Sequence, residues 1–352
     1  MILNMTCSEV STSLSEVAQY QIYKTPQVRA LVWSLISPPL SIRSDDYPAS
    51  VSSQWCEQIY QRIKTPLQQL DSNPEPLILW LKQYHSWRLG IRFEAYWAYI
   101  LELLKQQGEI ITYASHIQID DPIKQTRGEL DFVYLDKQKQ FWHLEIAVKF
   151  YLLKPDEFGY ERLTGPNGQD WYERKLIHLF KKQLPLSRTE DARQILAQSA
   201  ALNEYLLNDA IYCQPQGLIK GMIFFPVTGE GALNVHEQNG INPECETGLW
   251  ATQDNWYLSD PGQLGRWVIM DKLNWLVPQV YASIDNELYS FKEMDYKIKI
   301  HFHATKRSLF VARLEYDELQ KLWLEQQRIM IVDRYWPSYR KTGDKSKTIP
   351  SN

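Results

Sequence analysis

The chain has 352 residues, of which 44% are hydrophobic and 23% are charged, as is typical of a folded, soluble protein. This length is enough for two domains, or for one core with sizeable additions. The formal net charge of -4 argues against a protein that coats nucleic acid without selectivity, although it is compatible with a local basic surface.

The cysteines and the N-terminus indicate a compartment. The four cysteines are scattered and lack zinc-type spacing, which predicts unpaired thiols in a reducing cytosol. The N-terminal segment MILNMTCSEV lacks the basic and apolar parts of a secretion signal. No apolar run approaches the ~18 residues that cross a bilayer. We therefore expect a cytoplasmic protein without a membrane partner.

Residues 1–84 are predicted to form a helical extension that prolines interrupt. The apolar segment 28–36 predicts a buried helix that the following prolines stop, and another helix is expected to begin near residue 74. A long amphipathic pattern at 88–107, closed by Gly108, predicts a third helix.

The middle of the chain alternates between strand-like and helical patterns. After the helix at 88–107, the order strand, strand, strand, helix, strand predicts an α/β sandwich built around one sheet. The first three strands are expected at 109–114, 128–135 and 141–151, the helical stretches at 170–183 and 190–207, and the last strand at 217–225.

The pattern changes beyond residue 227. Glycine, asparagine and tryptophan punctuate short strand-like runs there, including 266–270 and 296–303. A helix is predicted at 316–330, followed by a disordered polar tail. The expected organisation is a helical extension at 1–84, a core at 85–226, a β-rich region with a terminal helix at 227–340, and the tail at 341–352.

The polar turn at 136–140 joins the second and third predicted strands into a β-hairpin. If Leu135 pairs with Phe141, then Asp131 lies directly opposite Glu145. Side chains opposed in this way have Cβ atoms roughly 4.5–5.5 Å apart, where two like charges destabilise a sheet. A divalent metal ion between the carboxylates would remove this repulsion.

The sequence leaves a second interpretation of the acidic pair open. The acids form an ordinary solvated pair if Lys149 or Arg127 relieves their repulsion. His143 falls on the same strand face as Glu145 and is interpreted as a neighbour rather than a metal ligand.

The helix at 88–107 carries an acid at an unusual position. On a helical wheel, Glu94 falls between the buried and solvent arcs, and small or apolar side chains such as Gly90 and Ala98 flank it. This position predicts a carboxylate that faces a cleft. A surface acid of an amphipathic helix is the alternative.

A helix with an inward Glu, a strand with Asp, and a strand with Glu and Lys together resemble the PD-(D/E)XK nuclease-like superfamily. The matching residues are Glu94, Asp131, Glu145 and Lys149, and the αβββαβ order at 88–226 resembles its restriction-endonuclease-like core. The whole chain is also similar to a bacterial family called domain of unknown function eighteen-fifty-three. The segments that carry this similarity are VRALVWSLISPPL, RLGIRFEAYW, GELDFVY, LEIAVKFYL, GPNGQDWYERKLIHLFKKQLPLS, KGMIFFP and LFVARLE.

The superfamily resemblance implies a Mg²⁺ or Mn²⁺ ion held by Asp131, Glu145 and the backbone carbonyl of Ile146. Such an ion lowers the pKa of a bound water and stabilises charge that develops on a phosphodiester. The resemblance gives Lys149 the role of orienting the attacking water or neutralising the phosphate. It adds Glu94 to the catalytic set and implies a metal-dependent phosphodiesterase that acts on DNA or RNA.

Two departures from the superfamily pattern leave an alternative function open. The usual lysine stands two residues after the glutamate, where this chain has Ala147. Lys149 keeps the same face but lies about 6.6–6.8 Å further along the strand. The proline that often precedes the aspartate is replaced by Leu130. The alternative is a catalytically degenerate nuclease-like fold that binds nucleic acid or protein.

A basic arc on the helical stretch 170–183 is a candidate surface for substrate phosphates. The solvated face of an ordinary amphipathic helix is the alternative. A second basic ladder on the strand expected at 296–303 is interpreted as solvent-facing. The predicted substrate-binding residues are Arg127, Arg174, Lys175, Lys181 and Lys182.

Overall fold

The structure is a computed structural model that describes residues 22–120, 126–155, 161–205, 211–229, 240–260, 262, 265–283 and 288–337. Four helices come first, of which the first, third and fourth lie at or close to the places that the sequence predicts, whereas the second was expected only as part of a helical extension. Ser52 caps the second by accepting a hydrogen bond from the Trp55 amide. Gly108 follows the fourth with φ +69°, the left-handed conformation that commonly ends helices. The helices are α1 Pro26–Ile36, α2 Ser53–Ser72, α3 Glu75–Lys82 and α4 Leu89–Gln106.

One large mixed sheet confirms the α/β class. Its strands are β1 Ile110–Asp120, β2 Thr126–Asp136, β3 Phe141–Pro155, β4 Glu161–Thr164, β5 Cys213–Pro226, β6 Glu246–Thr252, β7 Arg266–Ile269, β8 Val280–Tyr281, β9 Leu309–Asp317 and β10 Leu322–Val332. Their order is β1-β2-β3-β5-β6-β10-β9-β7, with β4 paired to β3 and β8 to β10. β1, β2 and β3 are antiparallel, whereas β3, β5, β6 and β10 run parallel.

The helical stretch between β4 and β5 is irregular. Helix α5, Tyr172–His178, passes into a π-helical turn at Leu179–Gln183 and then a short α-helical turn at Leu184–Leu186. Helix α6, Glu190–Ala197, ends ten residues before the predicted limit at 207. A π-helical turn rotates the side chains that follow it, and this one brings Gln183 to the sheet.

Helices cover both faces of the central strands. On one face, α1, α2 and α4 pack over Leu144 and Ile146 of β3. On the other face lies the α5 segment, which is helix α5 with the two helical turns that follow it, residues 172–186. Its Leu176 and Leu179 pack against Tyr151. Because β3 is buried on both faces, polar side chains on it are removed from water and need hydrogen-bond partners.

The structure overturns the strand predicted at 296–303. That segment lies in helix α7, Phe291–Ala304, which begins with a capping box formed by Ser290 and Glu293. Alternating lysines and apolar residues imitate a strand with one buried face, but Ile300, one of these apolar residues, is 52% exposed. The basic ladder predicted on one strand face therefore does not exist.

The terminal helix predicted at 316–330 is also wrong. The segment forms parts of β9 and β10, which are antiparallel neighbours. Lys321, at φ +57°, closes the turn between them. Glu and Gln near 325 favour a helix locally. The pairing of β10 with both β9 and β6 overrides that weak preference.

The predicted boundary between the core at 85–226 and the region from 227 falls within the sheet. β5 ends at Pro226, and it pairs in parallel with β6 from the later region. The order α-β-β-β-α-β is present in the core, with short β4 added. That the core is restriction-endonuclease-like stays a prediction. The tail at 341–352 lies outside the described residues.

Two expectations about thiols and membranes can be compared with the structure. Cys56, Cys213 and Cys245 are buried and form no disulfide with a described residue, and Cys7 lies outside the described residues. In the part of the chain that the structure describes, no helix has both the length and the apolar character to span a bilayer.

Candidate metal and phosphate site

The hairpin of β2 and β3 forms in the predicted register. Its ladder starts at the predicted pair, Leu135 with Phe141, and runs for four pairs. The ladder stops there, because β2 continues beside β1 while β3 continues beside β5. Asp131 and Glu145 occupy the next position, so the two acids lie where the strands part.

The two carboxylates replace the missing main-chain hydrogen bonds at this fork. The Asp131 amide donates to Glu145 Oε1 at 3.1 Å, and the Ile146 amide donates to Asp131 Oδ2 at 2.9 Å. Each acid thus binds the backbone of the opposite strand. This exchange holds two carboxyl groups side by side where the sheet opens.

Protein donors surround Glu145, whose side chain has no solvent exposure. His143 Nε2 lies 2.8 Å from Oε1, and Gln183 Nε2 donates to Oε2 at 2.7 Å. His143 is therefore a neighbour of the acid, as the sequence predicts. Its other ring nitrogen, Nδ1, is buried and has no hydrogen-bond partner in the part of the chain that the structure describes.

The electrostatics of the fork favour a bound positive charge. Burial, together with the charge of Glu145, raises the pKa of Asp131 to about 8, while the hydrogen bond from the Ile146 amide opposes the shift. Burial likewise raises the pKa of Glu94, and the charges of Glu129 and Glu145 add to the increase. These shifts mean that the acids repel one another.

Glu94 reaches this acidic group from helix α4. Its side chain is partly buried, as expected for a carboxylate that faces a cleft. It forms no hydrogen bond or ion pair with the residues that the structure describes, but its charge acts on Asp131. The structure therefore supports the inward placement over a solvent-exposed one.

The charge of Lys175 acts on both acids at the fork. Its Nζ donates to Gln183 Oε1 at 3.1 Å, and the same amide group donates to Glu145. Burial lowers the pKa of Lys175, and Lys149 lowers it further, whereas Asp131 and Glu145 oppose the shift. The sequence predicted Lys175 only as one of several phosphate contacts.

Lys149 faces another partner. Its Nζ forms an ion pair with Asp170 at 2.5 Å, and both side chains are about one third exposed. No ion pair joins Lys149 to the two acids at the fork among the described residues. The interpretation in which Lys149 neutralises the pair is therefore not supported. The side chain of Arg127, the other proposed neutralising group, lies outside the described part of the chain.

The remaining basic residues lie on the exposed side of the α5 segment. Arg174, Lys181 and Lys182 are exposed. Trp171 precedes them and is 39% exposed. The guanidinium of Arg162 lies 5.7 Å from its ring centroid. These side chains form a basic and aromatic surface. Such a surface is compatible with both interpretations of the basic arc, a binding surface for phosphates and the solvated face of a helix.

The carboxylate oxygens at the fork suit a hard divalent ion, but they are not arranged as a complete coordination site. Carboxylate oxygens are the ligands that Mg²⁺ prefers. In the described residues, however, no three His, Cys, Asp or Glu side chains are grouped closely enough to hold a metal ion. Both Glu145 oxygens accept hydrogen bonds from protein groups. Ion binding therefore requires that the Gln183 amide turn away.

Three residues near the fork were not singled out from the sequence. Gln183 lies next to the basic arc, and only the π-helical turn directs it to Glu145. Asp170 holds Lys149 from a distant loop. His116 adopts φ +53° in β1 and pairs with Glu129, and its charge acts on Glu94. Simple periodicity gives no signal for any of them.

Comparison with known proteins identifies the family alone. No curated protein and no solved structure matches the chain. The sequence model of one family, described as Domain of unknown function (DUF1853), matches residues 29–332. This match covers most of the 352 residues, and the chain therefore belongs to the DUF1853 family.

Proposed function

We propose that the protein is a metal-dependent phosphodiesterase that acts on nucleic acid, with Asp131 and Glu145 as its metal-binding acids. The fork of β2 and β3 carries the proposal. Glu145 is fully buried there and Asp131 is partly buried beside it, and among the described residues no lysine or arginine forms an ion pair with either. Buried like charges are costly unless a cation compensates them.

The fork offers the ligands that a Mg²⁺ or Mn²⁺ ion needs. The carboxylates of Asp131 and Glu145 and the carbonyl oxygen of Ile146 would hold it, and Glu94 adds a third negative charge. A bound ion of this kind lowers the pKa of a coordinated water and stabilises charge on a phosphodiester. The Gln183 amide donates to Glu145 Oε2, and it would have to turn away for this carboxylate to bind the ion.

Lys175 is better placed than Lys149 to contact a phosphate at the fork. Gln183 links Lys175 to Glu145, whereas Asp170 holds Lys149 away from the acids. A lysine there would neutralise a phosphate oxygen during cleavage. Arg127 and the exposed cations of the α5 segment would bind backbone phosphates, a chemistry that DNA and RNA share.

A cleavage assay tests the proposal. Purified protein is incubated with single- and double-stranded DNA and RNA in the presence of Mg²⁺ or Mn²⁺. We expect cleavage by the wild type, background activity for Asp131→Asn and Glu145→Gln, and a larger loss for Lys175→Met than for Lys149→Met. The absence of cleavage from every substrate, or cleavage that survives both carboxylate variants, contradicts the proposal.

A binding module without catalysis is the second candidate. Its support is that the fork is already satisfied by protein groups, because both Glu145 oxygens accept hydrogen bonds and Lys149 is paired. In that case fluorescence anisotropy in EDTA would show nucleic-acid binding that is equal in the wild type and Glu145→Gln. Lys181→Ala and Lys182→Ala would weaken that binding, and no substrate would be cleaved.

A further inference from the structure

A second concave site lies at the turn end of the hairpin, away from the fork. A cavity of about 480 Å³ opens between the loop before α2, the first residues of β3 and β5, and the turn before α6. A cavity of about 220 Å³ adjoins it and shares Trp55, Trp142 and Gln216. None of the candidate catalytic residues lines either cavity. The larger volume is in the ordinary range of small-molecule sites.

Two arginines give the larger cavity a positive charge. Arg43 and Arg188 line it, both are exposed, and neither forms an ion pair with a described residue. Among the described residues, no Asp or Glu lines this cavity. Guanidinium groups bind phosphate oxygens with two parallel hydrogen bonds, so this charge suits a phosphate group.

Two tryptophans supply flat apolar walls. Trp55 stacks on Trp97 with ring centroids 6.0 Å apart, and Trp142 stacks on Tyr134 at 6.4 Å. The Trp142 indole also donates to Asp136 Oδ2 at 2.8 Å. Both indoles are therefore held in place while remaining partly exposed. Rigid aromatic faces of this kind bind planar rings with little loss of conformational entropy.

Gln216 adds an unused polar group to both cavities. Its side chain is only 9% exposed, and its Oε1 accepts a hydrogen bond from the Tyr134 hydroxyl at 2.8 Å. Its amide nitrogen has no hydrogen-bond partner among the described residues. Because Gln216 lines both cavities, this nitrogen is available to donate to an acceptor atom of a ligand.

We infer that this cavity binds a nucleoside phosphate. Arg43 and Arg188 take the phosphate, an indole face takes the base, and the Gln216 amide donates to an acceptor on the ligand. An inorganic anion would leave the tryptophans without a role, and an uncharged nucleoside would leave the arginines without one. The site does not depend on the acids at the fork.

Isothermal titration calorimetry in EDTA tests this inference, with each of the four ribonucleoside monophosphates, inorganic phosphate and uncharged adenosine as probes. We expect at least one monophosphate to bind, and phosphate and adenosine to bind about tenfold more weakly or worse. Arg43→Ala, Arg188→Ala and Trp142→Leu should each weaken binding by about tenfold. The control Arg307→Ala removes an exposed arginine far from the cavity in sequence and should change nothing.

Asp131→Asn separates this site from the proposed catalytic one, and it should bind the nucleotide like the wild type. Failure of all four monophosphates to bind overturns the inference. Equal affinity for inorganic phosphate and nucleotide also overturns it, as does unchanged binding in an Arg43→Ala, Arg188→Ala double variant. These two arginines are exposed, so their loss leaves folding intact.

Discussion

The charge of Asp131 opposes folding when no cation is bound. Its folded-state pKa is raised above the ordinary 3.8, so the folded protein holds a proton that the unfolded chain has lost. Stability from this group is therefore present below the ordinary pKa and is lost as the pH rises towards about 8. The acid is retained at a cost to stability, as expected of a functional residue.

Asp131→Asn should stabilise the metal-free protein near neutral pH by about 1–3 kcal/mol. The amide keeps an oxygen that can accept from the Ile146 amide, while the repulsion from Glu145 disappears. Urea unfolding in EDTA measures the difference. The exposed Asp45→Asn serves as the control and should have no effect. A less stable Asp131→Asn protein would show that the acids do not repel each other in the fold.

Lys220 carries a second buried charge. Its ammonium group has no solvent exposure and donates to the carbonyls of Leu35 and Ser37 at the C-terminal end of helix α1, and to the Cys56 thiol. Burial lowers its pKa below the ordinary 10.5. The folded protein therefore binds fewer protons than the unfolded chain, and stability rises with pH between the lowered pKa and 10.5.

Removing Lys220 should remove this pH dependence. The free energy of unfolding of the wild type, minus that of Lys220→Met, should grow with pH by at most about 1.4 kcal/mol per pH unit. Thermal unfolding is measured below pH 9, where the Cys56 thiol, with its pKa raised by burial, stays protonated. A difference that is constant over this range would mean that Lys220 keeps its ordinary pKa in the fold.

The sequence identifies the acids of the site but not the groups that hold them. Asp131 and Glu145 follow from the two-residue period of strands and a five-residue turn, because both are local. Gln183 comes from an element packed across the sheet, and its direction depends on a π-helical turn. The pairing of Lys149 with Asp170 likewise depends on tertiary packing, which cannot be predicted from local patterns in a single sequence.

Strand β3 depends on a glycine in its neighbour. Gly221 of β5 lies opposite Lys149 at φ +136°, and a Cβ atom there would be 1.6 Å from the Lys149 carbonyl oxygen. No side chain fits without moving a strand. The close approach therefore places the strand that carries Glu145 and Lys149.

Gly221→Ala should cost more than about 4 kcal/mol, or prevent folding, because backbone atoms must separate. Gly108→Ala is the matched control, since Gly108 also has a positive φ of +69° but open space around its Cβ position. It should cost only about 1–2 kcal/mol, the strain of the left-handed conformation. Urea midpoints compare the two, and equal losses would contradict the role given to the β3–β5 contact.

Helices with strong local signals were predictable, and the C-terminal elements were not. The fourth helix has a continuous apolar stripe and a terminal glycine, so its bounds were expected to within about two residues. Helix α7 has lysines at alternating positions, which gave it a false period of two. The segment of β10 rich in Glu and Gln becomes a strand because two neighbours pair with it.

The sheet and its apolar cluster join the three regions that were predicted as separate, 1–84, 85–226 and 227–340. β5 pairs with β6, and Trp33 of helix α1 donates from Nε1 to Glu246 of β6 at 2.8 Å. One apolar cluster also contains side chains from α1, α4, β5 and β10. Folding is therefore expected to be cooperative across the described residues.

A fragment that holds only residues 85–226 should not fold. It would lack helices α1 and α2, which pack over β3 with α4, and strand β6, which pairs with β5, and this loss exposes a large apolar surface. Circular dichroism and dispersion of amide NMR signals measure this, with the full chain as the control. A fragment with a cooperative thermal transition would show instead that the predicted core is an independent domain.

Titration of the whole protein with Mn²⁺ by calorimetry tests the central claim most directly, namely that Asp131 and Glu145 bind a divalent cation. We predict one site at about pH 8, weaker binding at about pH 6 where a proton competes for Asp131, and no binding in Asp131→Asn or Glu145→Gln. Asp45→Asn should bind like the wild type. A wild type that binds no Mn²⁺ would contradict metal binding by Asp131 and Glu145. Carboxylate variants that both bind Mn²⁺ as tightly as the wild type would contradict it as well.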